Sequence, residues 1–191
     1  MALYLPNCVY LRTTNSMKKI WLTFIAVTIT GTLLSQTLSS DETQLYKQLM
    51  AYRVKVGLPK IPISKALNVV AQTHVRDLYT NKPDQGGCNL HSWSANGKWK
   101  PICYTPDHAN AKGMWEKPGE LTDYKGYGYE IAYWHSAAAT PSDAVDGWKK
   151  STGHNELIVN KGIWKTTKWK AIGIGIYKNY AVVWFGEDAD K

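Results

Sequence analysis

Apolar residues recur at helical spacing in two consecutive segments of the chain. The first stripe falls at i, i+4, i+7 and i+11: Leu45, Leu49, Tyr52 and Val56. The second stripe carries one histidine among its apolar members: Leu67, Val70, Ala71, His74 and Leu78. Ser39 with Glu42 predicts a capping box at the first helix, and Ser64 predicts the N-cap of the second. Both helices should bury one face, and His74 is interpreted as a core histidine.

Alternating positions predict strands in the second half of the chain. Residues 127–133 are predicted to form one strand, with Glu130 on one of its faces. Two further strands, 170–177 and 180–185, are separated by a two-residue hairpin turn. Isoleucine alternates with glycine in the first of these two, so one face is apolar and the other is bare enough for a helix to lie close. This order of elements predicts an α/β/α sandwich.

One more helix is predicted between the strands. Thr140 is suited to the N-cap and Pro141 to the first helical position. Three apolar residues share a face of this helix: Ala144, Val145 and Trp148. Gly153 is expected to end it, because glycine accepts backbone angles that strain other residues. The backbone break then places His154, which follows immediately.

The segment from Thr80 to Gly126 shows neither helical nor strand periodicity, and it is long for a connection inside a compact domain. Cys88 and Cys103 bracket part of it. In a secreted chain these cysteines should form a disulfide, which would stabilise the fold by about 3 kcal/mol. The alternative is a zinc site in which both thiols join His91, but no second Cys or His pair at ligand spacing accompanies them.

The beginning of the chain predicts export. Residues 17–38 combine two lysines with an apolar stretch of about 15 residues, which is typical of a secretory signal peptide and short for a membrane span. We expect translation to begin at Met17, residues 1–16 to be a gene-model extension, and residues 39–191 to form a single domain. The expected location is extracellular or periplasmic, with no stable membrane span after cleavage; an uncleaved anchor is the alternative.

Composition and charge limit the classes of molecule that this protein is expected to bind. Nine Trp and twelve Tyr accompany only two Phe, so many aromatic residues offer a polar edge. The formal charge of +8 falls to +5 once Arg12, Lys18 and Lys19 are removed. This charge suits anionic wall polymers or lipid headgroups, although an ordinary excess of solvated lysines accounts for it as well. Without an arginine cluster or a nucleic-acid motif, nucleic-acid binding is not expected.

Three polar residues occur in short segments rich in glycine or aromatic residues. His91 lies in Asn-Leu-His-Ser-Trp, Glu130 in Gly-Tyr-Gly-Tyr-Glu-Ile-Ala, and His154 directly after a glycine. Their order and surroundings resemble the CAP superfamily (cysteine-rich secretory proteins, antigen 5 and pathogenesis-related proteins; SCP-like), in its bacterial secreted branch. The resemblance covers roughly residues 41–187 and implies the same α/β/α sandwich.

The resemblance also implies a polar cleft. It would be lined by His91, Glu130 and His154, with Trp93 and Tyr129 as walls. Neutral imidazoles of His91 and His154 can bind a divalent metal such as zinc. Glu130 can complete the ligand set or fix the tautomer of one imidazole.

One member of the family's set is missing. The family usually has a second Glu about three residues after the helix Trp, where this chain has Ser151. Glu156, two residues past His154, is a weak substitute. Metal-assisted activity is therefore not carried over by the resemblance.

Several functions stay open at this point. The favoured one is a secreted, monomeric protein that binds a small molecule such as a lipid, a wall glycan or a divalent metal, without turnover. The rival is a hydrolase that uses a metal-activated water at the same cleft. The His–Glu–His group can also be a buried polar network with no ligand. The last alternative is an interaction module that uses exposed aromatic residues of the Cys88–Cys103 loop.

Overall fold

A computed structural model of the chain describes residues 37–190. The expected gene-model extension and most of the expected signal peptide lie outside these residues. The helices, in chain order, are α1 Ser40–Lys55, α2 Lys65–Asn81, α3 Ala111–Trp115, α4 Lys117–Leu121, α5 Pro141–Lys150 and α6 Thr152–Ile158. The strands are β1 Gly128–Trp134, β2 Ala171–Tyr177 and β3 Tyr180–Gly186, and a short 3-10 turn covers Gly162–Trp164.

The three strands form one antiparallel sheet in the order β1-β3-β2, with helices on both faces. Alternate residues of the central strand enter different cores. Val183 packs with α1, α5 and α6, whereas Val182 packs with α2 and the long connection before β1. This arrangement confirms the predicted α/β/α sandwich. It also leaves β1 as an edge strand, so side chains near its free edge can reach a surface cavity.

Helix α2 lies directly on the bare face of β2, as the isoleucine–glycine alternation predicts. A Cβ atom at Gly173 would come within 2.2 Å of the Leu67 carbonyl, and one at Gly175 within 2.5 Å of the Ala71 carbonyl oxygen. Real Cβ contacts are never this short, so only glycine permits the approach. The close contact fixes the position of α2, and with it the position of His74.

The predicted helix starts are confirmed. Ser39 and Glu42 form a reciprocal capping box at α1, and the Ser64 side chain accepts the N–H of Leu67 at α2. Val56 follows the end of α1 and is 46% exposed, so the first apolar stripe is shorter than predicted.

The predicted break at Gly153 is wrong by two residues. Helix α5 ends at Ser151, which takes extended angles of φ −90° and ψ 117° and also begins α6. Gly153 lies inside the first turn of α6, and no heavy atom lies within 4 Å of where its Cβ would be. His154 is therefore presented by a helix turn rather than by a glycine break.

A disulfide joins Cys88 and Cys103, whose Cα atoms are 5.0 Å apart. It confirms the predicted bridge across the long connection and removes both thiols from the zinc alternative. Of the helices in residues 37–190, none is long and apolar enough to cross a membrane.

Candidate functional site

Glu130 is the centre of a buried polar group. Its side chain has no solvent exposure, and its carboxylate lies between two imidazoles. His74 Nδ1, from α2, lies 2.5 Å from Oε1, and His91 Nδ1, from the long connection, lies 2.8 Å from Oε2. His74 was expected to be a core histidine, and it is buried, but its ring also belongs to this group.

The hydrogen bonds fix where the protons lie. Burial by itself raises the pKa of Glu130, but the charge and hydrogen bond of His74, helped by His91, outweigh burial and lower it below its usual value. An ionised carboxylate only accepts hydrogen bonds, so both imidazoles donate through Nδ1. His74 Nε2 lies 2.9 Å from the Ser92 carbonyl oxygen, which also only accepts. Both ring nitrogens of His74 therefore face an acceptor, and two hydrogen bonds donated by this ring require a proton on each nitrogen.

The same reasoning defines the reactive atom of His91. The Nδ1–H of His91 donates to Glu130, so in the neutral form of the ring the lone pair lies on Nε2. The side chain of His91 is 17% exposed, whereas those of His74 and Glu130 are sealed. His91 Nε2 is thus the acceptor that this buried group offers to a ligand.

Trp93 lies behind the site rather than in its wall. Its ring is 2% exposed and stacks on the His74 ring, with 4.1 Å between centroids and 5° between planes. The expectation that Trp93 lines the cleft is not met. An indole face favours a cation, so this stacking suits the imidazolium form of His74. Trp99 packs edge-on against Trp93, with 5.0 Å between ring centroids.

A cavity of about 550 Å³ lies next to this group. Three of the residues predicted from the sequence line it together, namely His91, Glu130 and His154, and so does Tyr129. The apolar part of the lining comes from helices, strand and loop alike: Ala111, Met114, Trp115, Ile131, Leu157, Ile163 and Trp164. The cavity therefore has an apolar body and a polar side.

His154 projects from the first turn of α6. Burial, followed by the charge of His91, lowers its pKa to about 4, against an opposing effect of Glu130. His154 is consequently neutral near pH 7, with one nitrogen that donates and one that accepts. The polar side of the cavity therefore offers the imidazole edges of His91 and His154, backed by the buried His74–Glu130 pair.

Several lining residues were not predicted as site residues. Tyr104 packs edge-on against His91, with 5.2 Å between centroids, and its hydroxyl lies 2.8 Å from His108 Nδ1. Burial, and then the charge of Glu130, raise the pKa of Tyr104. Trp115 and Trp164 flank Tyr129 at 5.8 Å and 5.0 Å. Tyr104, Trp115 and Trp164 come from segments without helical or strand periodicity. In such segments no sequence pattern shows which side chains point inward.

The donor set fits a metal poorly. Both oxygens of Glu130 accept hydrogen bonds from His74 and His91, which leaves only two imidazoles. Within residues 37–190, no group of three or more His, Cys, Asp or Glu side chains is arranged to hold a metal ion. The carboxylate of Glu156 packs against Gly162 instead of lining the cavity. The imidazoles of His91 and His154 therefore do not by themselves supply the three protein ligands that a catalytic zinc needs.

Comparison with known proteins identifies the fold and the family. The profile of the CAP family, described as the cysteine-rich secretory protein family, matches residues 48–185. The chain belongs to the CAP family. Among solved structures, this CAP domain is similar to an outer surface protein from Borrelia burgdorferi, with a TM-score of 0.51 and 18% identity over 79% of this chain and 96% of that one. Comparison with curated proteins gave no significant match.

A second solved structure shows the same fold in a longer protein. It is an extracellular protein containing an SCP domain from Bacillus anthracis, with a TM-score of 0.54 and 16% identity. The match covers 76% of this chain and 40% of the Bacillus chain. The identity is low, so the likeness supports the CAP fold alone.

The interaction-module alternative expects exposed aromatic residues in the Cys88–Cys103 loop of this CAP domain. Trp93 is buried, and Trp99 is half-buried, with its Nε1 donating to the Ser94 carbonyl oxygen at 2.8 Å. Both rings face inward. The loop aromatics thus support the His74–Glu130 pair, and an aromatic surface does not form there.

Proposed function

We propose that this CAP domain is an extracellular binding protein whose cavity holds an amphipathic, lipid-like molecule. The observation that carries the proposal is the joint lining of one cavity by apolar side chains and by the imidazole edges of His91 and His154. The volume of about 550 Å³ lies within the usual range for small-molecule sites. The apolar body of the ligand would lie against Trp115, Leu157 and Trp164.

The polar end of the ligand follows from the proton positions. Nε2 is the His91 ring nitrogen that does not bond to Glu130, and His154 is neutral near pH 7, so His154 does not attract an anionic headgroup by charge. A hydroxyl group can donate to His91 Nε2 and accept from a His154 N–H, which satisfies both edges. The best-fitting class is therefore an uncharged lipid with a hydroxyl end, such as a monoacylglycerol or a lipid alcohol.

An extracellular location is supported by two independent features. A disulfide of the kind formed by Cys88 and Cys103 persists in oxidising compartments. Residues 17–38 have the composition of a secretory signal peptide. Secretion is part of the proposal.

The cavity can be filled without touching the polar group. Gly153 lines it and has helical backbone angles, and a Cβ atom there would meet no heavy atom within 4 Å, so Leu is the substitution chosen to occupy the cavity. We expect monoolein to change the tryptophan fluorescence of the wild type and of Gly153→Ala. Gly153→Leu should unfold no earlier than the wild type, because Leu also favours a helix over Gly, and should lose at least tenfold in affinity. Equal affinity of all three proteins for monoolein would overturn the proposal.

The polar end is tested separately. Glycerol-free hydrocarbon chains should bind more weakly than monoolein to the wild type, and His154→Leu should remove most of that difference. If the protein were a metal-assisted hydrolase instead, zinc would co-purify with the wild type, and the wild type would hydrolyse esters. The His91→Ala/His154→Ala double variant would then lose both the zinc and the ester turnover. Bound zinc together with turnover would therefore replace the binding proposal.

A further inference from the structure

A loop of distinctive composition follows α6 and ends at β2. Its lysines are all exposed: Lys161, Lys165, Lys168 and Lys170. Between them Ile163 is 82% exposed, the largest fraction for any large apolar side chain in the part of the chain that the structure describes. From Leu157 to Gly186 the sequence contains no Asp or Glu. The loop 161–170 therefore presents one apolar tip among four exposed lysines, and the nearby acid is Glu156, whose carboxylate packs against Gly162.

The loop is held firmly from beneath. Asn160 Nδ2 donates to the carbonyl oxygens of Trp164 and Thr167, at 3.3 Å and 2.9 Å. The Asn160 side chain is in turn held by the buried Arg53, whose Nη1 donates to its Oδ1 at 2.8 Å. Trp169 is buried, with its Nε1 donating to the Leu157 carbonyl oxygen at 3.1 Å. These contacts hold the loop backbone in place, so Ile163 and the four lysines of the loop stay exposed to solvent.

The loop also forms part of the cavity rim. Ile163 and Trp164 both line the cavity, and Trp164 packs edge-on against Tyr129 at 5.0 Å. On the other side of Tyr129, Trp115 leads to Tyr127, which is 46% exposed. Tryptophan and tyrosine favour the boundary between water and lipid, because one edge of each ring is polar. The cavity rim thus combines aromatic side chains suited to a lipid–water boundary with the exposed Ile163 and the lysines of the loop.

We propose that the loop 161–170 docks this protein on the surface of an anionic lipid bilayer, with the cavity mouth facing the membrane. Exposed lysines suit any polyanion, but a water-exposed isoleucine gains only from an apolar environment. The combination favours a bilayer over a soluble acidic polymer. Docking goes beyond ligand binding in the cavity, since it requires only the outer surface of the loop.

The test is co-sedimentation with vesicles. We expect the wild type to sediment with equimolar phosphatidylglycerol–phosphatidylcholine vesicles, to remain in solution with pure phosphatidylcholine, and to be released by salt at about 0.5 M. The triple variant Lys161→Gln/Lys165→Gln/Lys168→Gln should lose about fivefold in affinity for each lysine, on the order of 100-fold in all. Ile163→Ser should lose affinity severalfold as well.

Matched controls separate this loop from overall charge. Lys47→Gln/Lys60→Gln/Lys98→Gln removes the same charge from exposed lysines elsewhere and should change the affinity far less. Val54→Ser removes another exposed apolar side chain, which is 51% exposed, and should have no effect. Gly153→Leu, which fills the cavity, should still dock, so failure of ligand binding is distinguishable from failure of docking. Equal losses of vesicle affinity in both triple variants would overturn the proposal. Full vesicle affinity of Ile163→Ser would also overturn it, and so would binding of the wild type to soluble polyphosphate as strongly as to the vesicles.

Discussion

His74 Nδ1 and Glu130 Oε1 lie 2.5 Å apart, and neither side chain is exposed to solvent. The contact joins α2 to the edge strand β1. It also sets the tautomer of His91, which shares the same carboxylate. Two fully buried residues therefore determine which nitrogen of His91 the cavity presents.

Removing His74 should destabilise the protein strongly. His74→Ala leaves the Glu130 carboxylate buried without its closest donor, and losses of about 3–5 kcal/mol are usual for such pairs. Urea denaturation at pH 7 measures the change in the free energy of unfolding. His135→Ala, which removes a partly exposed histidine with one hydrogen bond to Ala137 N–H, should cost about 1 kcal/mol. Similar losses in the two variants would contradict a buried ion pair.

A double variant tests the pairing itself. His74→Leu/Glu130→Leu leaves no charge unpaired, so it should cost less than the sum of the two single substitutions. The difference between the double variant and that sum gives the coupling free energy. Additive losses would mean that the two side chains act independently.

Acid should weaken the fold through His154. Its pKa is about 4 in the folded protein, below the ordinary value of about 6.5 in an unfolded chain. The unfolded state therefore binds the extra proton first as the pH falls. The contribution is present above pH about 6.5 and is lost towards pH about 4, by about 1–3 kcal/mol.

Unfolding curves at several pH values check this window. His154→Gln cannot take up the proton, so its stability should fall less over the same range. The pKa of Glu130 is also lowered in the folded protein. Its contribution to the free energy of unfolding is therefore lost at lower pH, as the pH falls through that folded pKa. A His154→Gln variant that follows the wild type between pH 6.5 and pH 4 would contradict the lowered pKa of His154.

Reducing the disulfide should loosen the cavity wall. The Cys88–Cys103 bridge closes a loop with a sequence separation of 15, for which chain entropy predicts a contribution of about 3 kcal/mol. The loop carries His91, so hydrogen exchange of its backbone should rise together with the loss of stability. Thermal unfolding with and without reductant, and of Cys88→Ser/Cys103→Ser, measures the effect. An unchanged transition would show that the core alone holds the loop.

Two glycines should respond to alanine in opposite directions. Gly173→Ala places a Cβ against the Leu67 carbonyl and should destabilise by about 1–3 kcal/mol or more. Gly153→Ala adds a Cβ in open space within a helix and should stabilise by about 0.5–1 kcal/mol. Denaturation midpoints of the two variants provide the comparison. Loss of stability in Gly153→Ala would mean that α6 is not helical at that position.

The elements were predictable where a local pattern specifies them. The caps at Ser39 and Ser64, the hairpin between β2 and β3, and the close approach of α2 to Gly173 each depend on residues near one another in sequence or on a plain alternation. The end of α5 was placed wrongly, because Gly153 can adopt broken or helical angles equally well and only packing selects between them.

The sequence by itself determined the α/β/α layers, the disulfide and the three residues, His91, Glu130 and His154, that share a cavity. Tertiary structure alone decided that Trp93 lies beneath the site, that His74 joins it, and that the loop 161–170 borders the cavity. The reason is physical. Periodicity records which face of an element is buried, whereas hydrogen bonds between distant segments depend on how those faces meet.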